Sequence, residues 1–120
     1  MSNNSSPKSP PTEAQPIIHL TEDNFNTFTL QIPYLVIDFW AEWCGPCRFF
    51  APIFEEISLE YPEIQFCKCN TEENRHIAAE LHINVIPTLM FIKSGNVVHI
   101  SCGALSREKF REELNSVFRA

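Results

Sequence analysis

Between residues 17 and 119 the apolar positions change period several times, and each change marks an element. IIHL (17–20) reads as a short strand, and Thr21 followed by Glu22 and Asp23 reads as a helix start with anionic side chains at the positive end of the dipole. Phe25 and Phe28 then share a helical face. YLVIDFW (34–40) is apolar at both alternating sets of positions, as in a central strand covered on both sides, and Asp38 falls on the face of Val36 and Trp40. From Cys44 onward Phe50, Ile53, Phe54, Ile57 and Tyr61 recur at helical spacing. Pro46 suits the first turn, whose amides have no intrahelical acceptor, whereas Pro52 predicts a kink. IQFCKC (64–69) reads as a strand, Thr71 to Leu81 as a short helix, and TLMFIKSGNVVHIS (88–101) as a hairpin turning at Ser94-Gly95-Asn96. Ser106 is placed to cap a last helix with Phe110, Leu114, Val117 and Phe118 inward. The order βαβαβαββα, without internal repeats, predicts an α/β fold: one mixed sheet of about five strands flanked on both faces by about four helices.

Length and composition narrow the class. A chain of 120 residues with 44% apolar content fits one globular domain. Residues 1–16, MSNNSSPKSPPTEAQP, have four prolines and almost no aliphatic surface, so they are expected to be a flexible tail ahead of a folded domain at 17–120. The net charge of -6 and the lack of a Lys/Arg cluster argue against nucleic acid as partner. YLVIDFW is much shorter than the roughly 18 residues a membrane span needs, and Asp38 interrupts it, so no membrane association is expected. The tail has neither the apolar core of a secretory signal nor the arginines of a transit peptide, which makes the cytoplasm the expected compartment, with an organellar form also compatible.

The five cysteines, Cys44, Cys47, Cys67, Cys69 and Cys102, are an odd set, which fits reduced thiols with one reactive pair better than a secreted disulfide framework. C-x2-C followed after nineteen residues by C-x-C also resembles a tetrahedral zinc set. Two features weigh against zinc: Cys67 and Cys69 flank Lys68 in a predicted strand without the turn of a metal knuckle, and Cys44 and Cys47 stand where a buried strand meets a helix start. His19, His76, His82 and His99 show no metal spacing, so no metal is expected. A helix N-terminus presents unpaired N–H groups and a positive dipole end, which favour thiolate over thiol. Cys44 is therefore the expected nucleophile, and Cys47, one turn deeper and less accessible, the resolving thiol. Two thiols are needed because a single one would remain trapped in a mixed disulfide.

WCGPC, preceded by VIDFWAE and followed after three residues by AP, resembles the active-site segment of thioredoxins, and the similarity continues through IIHLTEDNF, IPTLMFIKSGNVV and GALS, over about residues 17 to 119. The resemblance is to bacterial-type or organellar thioredoxins rather than to protein disulfide isomerases, in which a histidine usually replaces Pro46. It implies the thioredoxin fold and a protein-disulfide reductase that exchanges dithiol for disulfide through Cys44 and Cys47. It also implies no bound cofactor, electrons drawn from NADPH through a partner thioredoxin reductase, disulfide-containing target proteins and a monomer. An oxidase or isomerase, and an interaction module that uses the fold without redox turnover, are the competing readings.

Asp38 on an inward face should have its charged form disfavoured and its pKa raised toward the working pH. In the family the matching aspartate exchanges a proton with the resolving cysteine, here Cys47, and Lys68 matches its charged neighbour. The resemblance also makes Pro87 a cis proline facing the disulfide. Trp43, Ile86 and Gly103 are expected to form a flat apolar rim that binds substrate with Gly45, Pro46 and Pro87. Val85 departs from the family pattern, where a small residue often precedes the Ile-Pro step. Trp40, Phe49 and Phe50 are expected to serve packing, and Cys102 to be a buried inert thiol rather than a regulatory one near the rim.

Overall fold

The computed structural model describes residues 15–119, so the expected tail lies outside the described residues except for Gln15 and Pro16. Both of these are exposed, and the Pro16 carbonyl accepts a hydrogen bond from Gln65 Nε2 at 2.8 Å. Five strands and four helices follow in the expected order: β1 (Ile18–His19), α1 (Phe25–Gln31), β2 (Tyr34–Trp40), α2 (Gly45–Ser58), β3 (Gln65–Asn70), α3 (Arg75–Glu80), β4 (Thr88–Lys93), β5 (Asn96–Cys102) and α4 (Arg107–Phe118). The sheet order is β1-β3-β2-β4-β5, with β1, β3 and β2 parallel and β4 and β5 antiparallel. Among the described residues no helix is long and apolar enough to cross a membrane.

Strand alternation divides the core into two layers. Val36, Phe66, Leu89 and Phe91 face α2 and α4, where Phe50, Phe54, Phe66 and Phe110 meet with ring centroids 5.0 to 6.0 Å apart. Fully burying each such ring stabilises the fold by roughly 1.5–3 kcal/mol. Leu35, Ile37, Phe39, Cys67, Cys69, Met90 and Ile92 face α1 and α3, against Phe25, Phe28 and Ile77. β2 is buried on both faces because it lies third in the sheet with helices above and below.

Local chemistry explains the ends. The Ser106 hydroxyl accepts the Lys109 N–H at 3.1 Å and caps α4. α2 runs through Pro52 as one helix. The hairpin turns at Ser94 and Gly95, with φ of 50° and 82°, the paired positive values of a two-residue turn whose twist matches the strands. Between Phe91 and Ile92 the register shifts, leaving Val98 as an extra residue in β5. α3 is shorter than the predicted 71–81. The Asn70 carboxamide accepts the N–H groups of Glu72 and Glu73 at 2.9 and 3.3 Å, holding that stretch as a turn before the helix begins.

Candidate active site

β2 carries the chain through Ala41–Trp43 to Cys44, which takes an extended conformation as the N-cap of α2. A sulfur here occupies the place usually taken by a capping oxygen, and the Cys47 N–H donates to Cys44 Sγ at 3.2 Å. The Cys47 amide and the dipole end of a 14-residue helix therefore meet at this one sulfur. Cys44 and Cys47 are joined as a disulfide with their Cα atoms 5.2 Å apart. Gly45 and Pro46 between them are exposed, and a Cβ added at Gly45 would meet nothing within 4 Å. The expected difference in accessibility is almost absent in this bonded state: Cys44 is 4% exposed and Cys47 2%. The backbone of the Ile86–Pro87 segment lies against Cys44, with Ile86 O 3.7 Å from its sulfur.

Asp38 projects from β2 on the face covered by α2 and is 1% exposed. Burial raises its carboxyl pKa to about 7, against a smaller lowering by the Lys68 ammonium. Neither carboxylate oxygen has a hydrogen-bond partner among the described residues. Lys68 is the register partner of Asp38 on β3 and is buried rather than a surface lysine. Its ammonium is directed away, 3.4 Å from Glu55 Oε2 on α2 and 5.5 Å from the centroid of Trp40. Trp40 is half-buried at the end of β2 rather than fully in the core, because its ring covers this lysine at the edge of the layer. Glu55 carries no sequence signal of its own, since its meeting with Lys68 depends on how α2 lies over β3.

The rim is built around these groups. Trp43 is 68% exposed, and its Nε1 donates to Glu72 Oε2 at 3.3 Å. The Ile86–Pro87 peptide bond is cis, Pro87 is buried and Ile86 half-buried. Gly103 has φ of 94°, a conformation that L side chains rarely adopt, and its N–H donates to Pro87 O at 2.8 Å. Glycine there ties the end of β5 to the segment facing the sulfur. Val85, just before that segment, is exposed.

Two packing expectations are corrected. Phe50 is buried as expected, but Phe49 is exposed, because the neighbouring helical position turns away from the sheet. Cys102 is an exposed free thiol rather than a buried one. It ends the edge strand β5, where no further strand covers it. Cys67 and Cys69 are buried on the α1/α3 side of the sheet, the face opposite Asp38. Burial, aided by Cys69 for Cys67 and by Glu22 for Cys69, pushes both thiols up to about 12. Among the described residues no group of three or more His, Cys, Asp or Glu side chains could hold a metal ion.

Such a site can exchange thiol for disulfide: one sulfur at a helix cap, a second one turn on, and a buried carboxyl of near-neutral pKa beneath the same helix. Comparison with known proteins points the same way. The thioredoxin family model matches residues 16–116. A thioredoxin of Acidithiobacillus ferridurans is 39% identical over 102 residues, covering 83% of this chain and 94% of the relative. A thioredoxin of Pseudomonas aeruginosa is 38% identical over 103 residues, with the same coverage. A solved chain from work on thiol resolution in yeast mitochondrial 1-Cys peroxiredoxin by glutathione/thioredoxin systems superposes with a TM-score of 0.78 at 31% identity. That likeness covers 83% of this chain and 94% of the other. The chain belongs to the thioredoxin family, has the thioredoxin fold, and is a thiol-disulfide oxidoreductase whose Cys44–Cys47 pair carries out dithiol-disulfide exchange.

Proposed function

We propose that the chain works in the reducing direction, as a general protein-disulfide reductase. Cys44, as thiolate, attacks a disulfide of the target; one target sulfur leaves as a thiolate and takes up a proton, and a mixed disulfide forms. Cys47 gives up its proton to Asp38 and attacks Cys44 Sγ; the bond from Cys44 to the target breaks, the second target sulfur leaves as a thiolate and takes up a proton returned by Asp38, and the Cys44–Cys47 disulfide remains. Lys68, the register partner of Asp38, is the supporting charge, acting on the carboxyl through space without a direct ion pair. The single observation that carries this reading is the Cys47 N–H directed at Cys44 Sγ at the cap of α2, a donor placed to stabilise the attacking anion.

Trp43, Gly45, Pro46, Ile86, Pro87 and Gly103 form the surface on which target backbone docks. NADPH reduces the pair through a separate thioredoxin reductase, and the chain itself works as a monomer in the cytoplasm. Disulfides formed by peroxiredoxins are one target class, supported by the peroxiredoxin work to which the structural relative belongs.

The test is NADPH-coupled reduction of insulin disulfides with a thioredoxin reductase, for wild type, Cys44→Ser and Cys47→Ser. Turnover by wild type alone is expected, with a stable mixed disulfide accumulating on Cys47→Ser. Equal inactivity of all three with partner binding intact would favour a non-catalytic module. Net oxidation of a reduced dithiol peptide, with no insulin reduction, would favour an oxidase.

A further inference from the structure

We propose that Glu55 is a positioning residue of the exchange reaction: its carboxylate holds the Lys68 ammonium away from Asp38, which keeps Asp38 a proton carrier instead of one half of a buried ion pair. The inference rests on the role of Asp38 proposed above.

Three contacts carry it. Asp38 and Lys68 are direct register partners on adjacent strands with their side chains on the same face, an arrangement in which a lysine stem easily reaches a carboxylate. Yet both Asp38 oxygens are without a hydrogen-bond partner among the described residues, although the group is buried. The ammonium is instead 3.4 Å from Glu55 Oε2 and over the Trp40 ring. Glu55 lies at the surface, its side chain 58% exposed against 11% for Lys68, so the anion in contact with the buried lysine belongs to the helix surface and not to Asp38.

The consequence for chemistry follows from proton affinity. A carboxylate in contact with an ammonium stays ionised well below neutrality and could not accept and return a proton near pH 7. One that is buried and unpaired takes up its proton near neutrality. Among the described residues the charge that acts on Asp38 is Lys68 from β3; the register partner of Asp38 on β4, Leu89, is uncharged, and α2, which covers this face, carries the Cys44–Cys47 pair and Glu55. Arg107 of α4 pairs with Glu56 and is occupied at the surface. Loss of Glu55 removes the anchor of the lysine and frees the ammonium to approach Asp38, which lowers the Asp38 pKa. Because Glu55 is exposed, its hold is weak and the shift is modest.

The experiment is a pH titration of the Asp38 side-chain carboxyl by carbon NMR in the oxidised full chain, for wild type, Glu55→Gln, Glu55→Asp, Lys68→Met and the double variant Glu55→Gln/Lys68→Met. Wild type is expected to titrate near 7. Glu55→Gln should move the midpoint down by roughly half a unit, about threefold in proton affinity. Glu55→Asp should stay near wild type, and Glu55→Gln should have little further effect once Lys68 is methionine. The acid limb of the insulin-reduction pH profile should move with the midpoint in Glu55→Gln. A wild-type midpoint near 7 that is unchanged or raised in Glu55→Gln overturns the role of Glu55 alone. So does an equal shift in the Lys68→Met background. A wild-type midpoint near the ordinary carboxyl value, ~4, overturns the reading of Asp38 and this inference with it.

Discussion

Cys44 and Cys47, and Cys67 and Cys69, are two cysteine pairs in one small domain, each with its members within a turn or a strand repeat of each other. All four are buried by surface area. They differ in what surrounds the sulfur. At the cap of α2 an amide donates to Cys44 Sγ and a helix dipole ends on it, whereas in β3 the two thiols sit among aliphatic and aromatic side chains that oppose ionisation. What separates the pairs is the helix terminus at Cys44 against the apolar surroundings of Cys67 and Cys69, since surface exposure alone is nearly the same for all four.

The largest expected difference is in turnover. Cys44→Ser should reduce insulin reduction to the uncatalysed background, while Cys67→Ser and Cys69→Ser stay within about twofold of wild type, since neither thiol ionises near neutrality. A comparable loss in Cys69→Ser with the fold intact would break the contrast.

Asp38→Asn comes next. At pH 7 the rate should fall roughly 10- to 100-fold if proton exchange with Cys47 limits the step. Stability should move the other way. The folded pKa of Asp38, about 7, lies above its ordinary 3.8, so the native state holds this proton more tightly than the unfolded chain. The contribution is present below about 3.8 and is lost as pH rises through 7. Urea unfolding should find Asp38→Asn more stable than wild type at pH 8, by at most about 4 kcal/mol, with the gain vanishing at pH 3. A destabilised Asp38→Asn at pH 8 would contradict a buried, unpaired carboxylate.

A smaller effect concerns labelling order. After reduction, limiting iodoacetamide at neutral pH should modify Cys44 first and the exposed Cys102 next, with Cys67 and Cys69 reacting only on unfolding. Mass spectrometry of the peptides reads this directly. The smallest is Gly103→Ala. Space for a Cβ is open there, so the cost is that of the positive φ alone, about 1 kcal/mol by thermal or urea unfolding.

Sequence patterning carries far in this chain, but unevenly. β2 and α2 are plain in it because YLVIDFW is apolar on both faces and Phe50, Ile53, Phe54 and Ile57 keep one helical stripe. The juxtaposition of Cys44 with a helix start follows from the same two elements. The start of α3 is hidden because the Asn70 side chain competes locally with the helix, which apolar periodicity does not register. The exposure of Cys102 and Phe49 escapes patterning for a different reason: burial at an edge strand or an outer helix position depends on which neighbours the topology supplies. The Lys68–Glu55 contact is beyond sequence reading altogether, since it joins two elements only after α2 has packed on β3.

The central claim is that the cap of α2 makes Cys44 an anion. The most direct measurement is the rate of Cys44 alkylation against pH in the reduced protein, with a Cys47→Ser background to isolate the sulfur. The account predicts half-maximal rate well below the ~8.5 of a free cysteine. A midpoint at or above that value, with the helix intact, would contradict it.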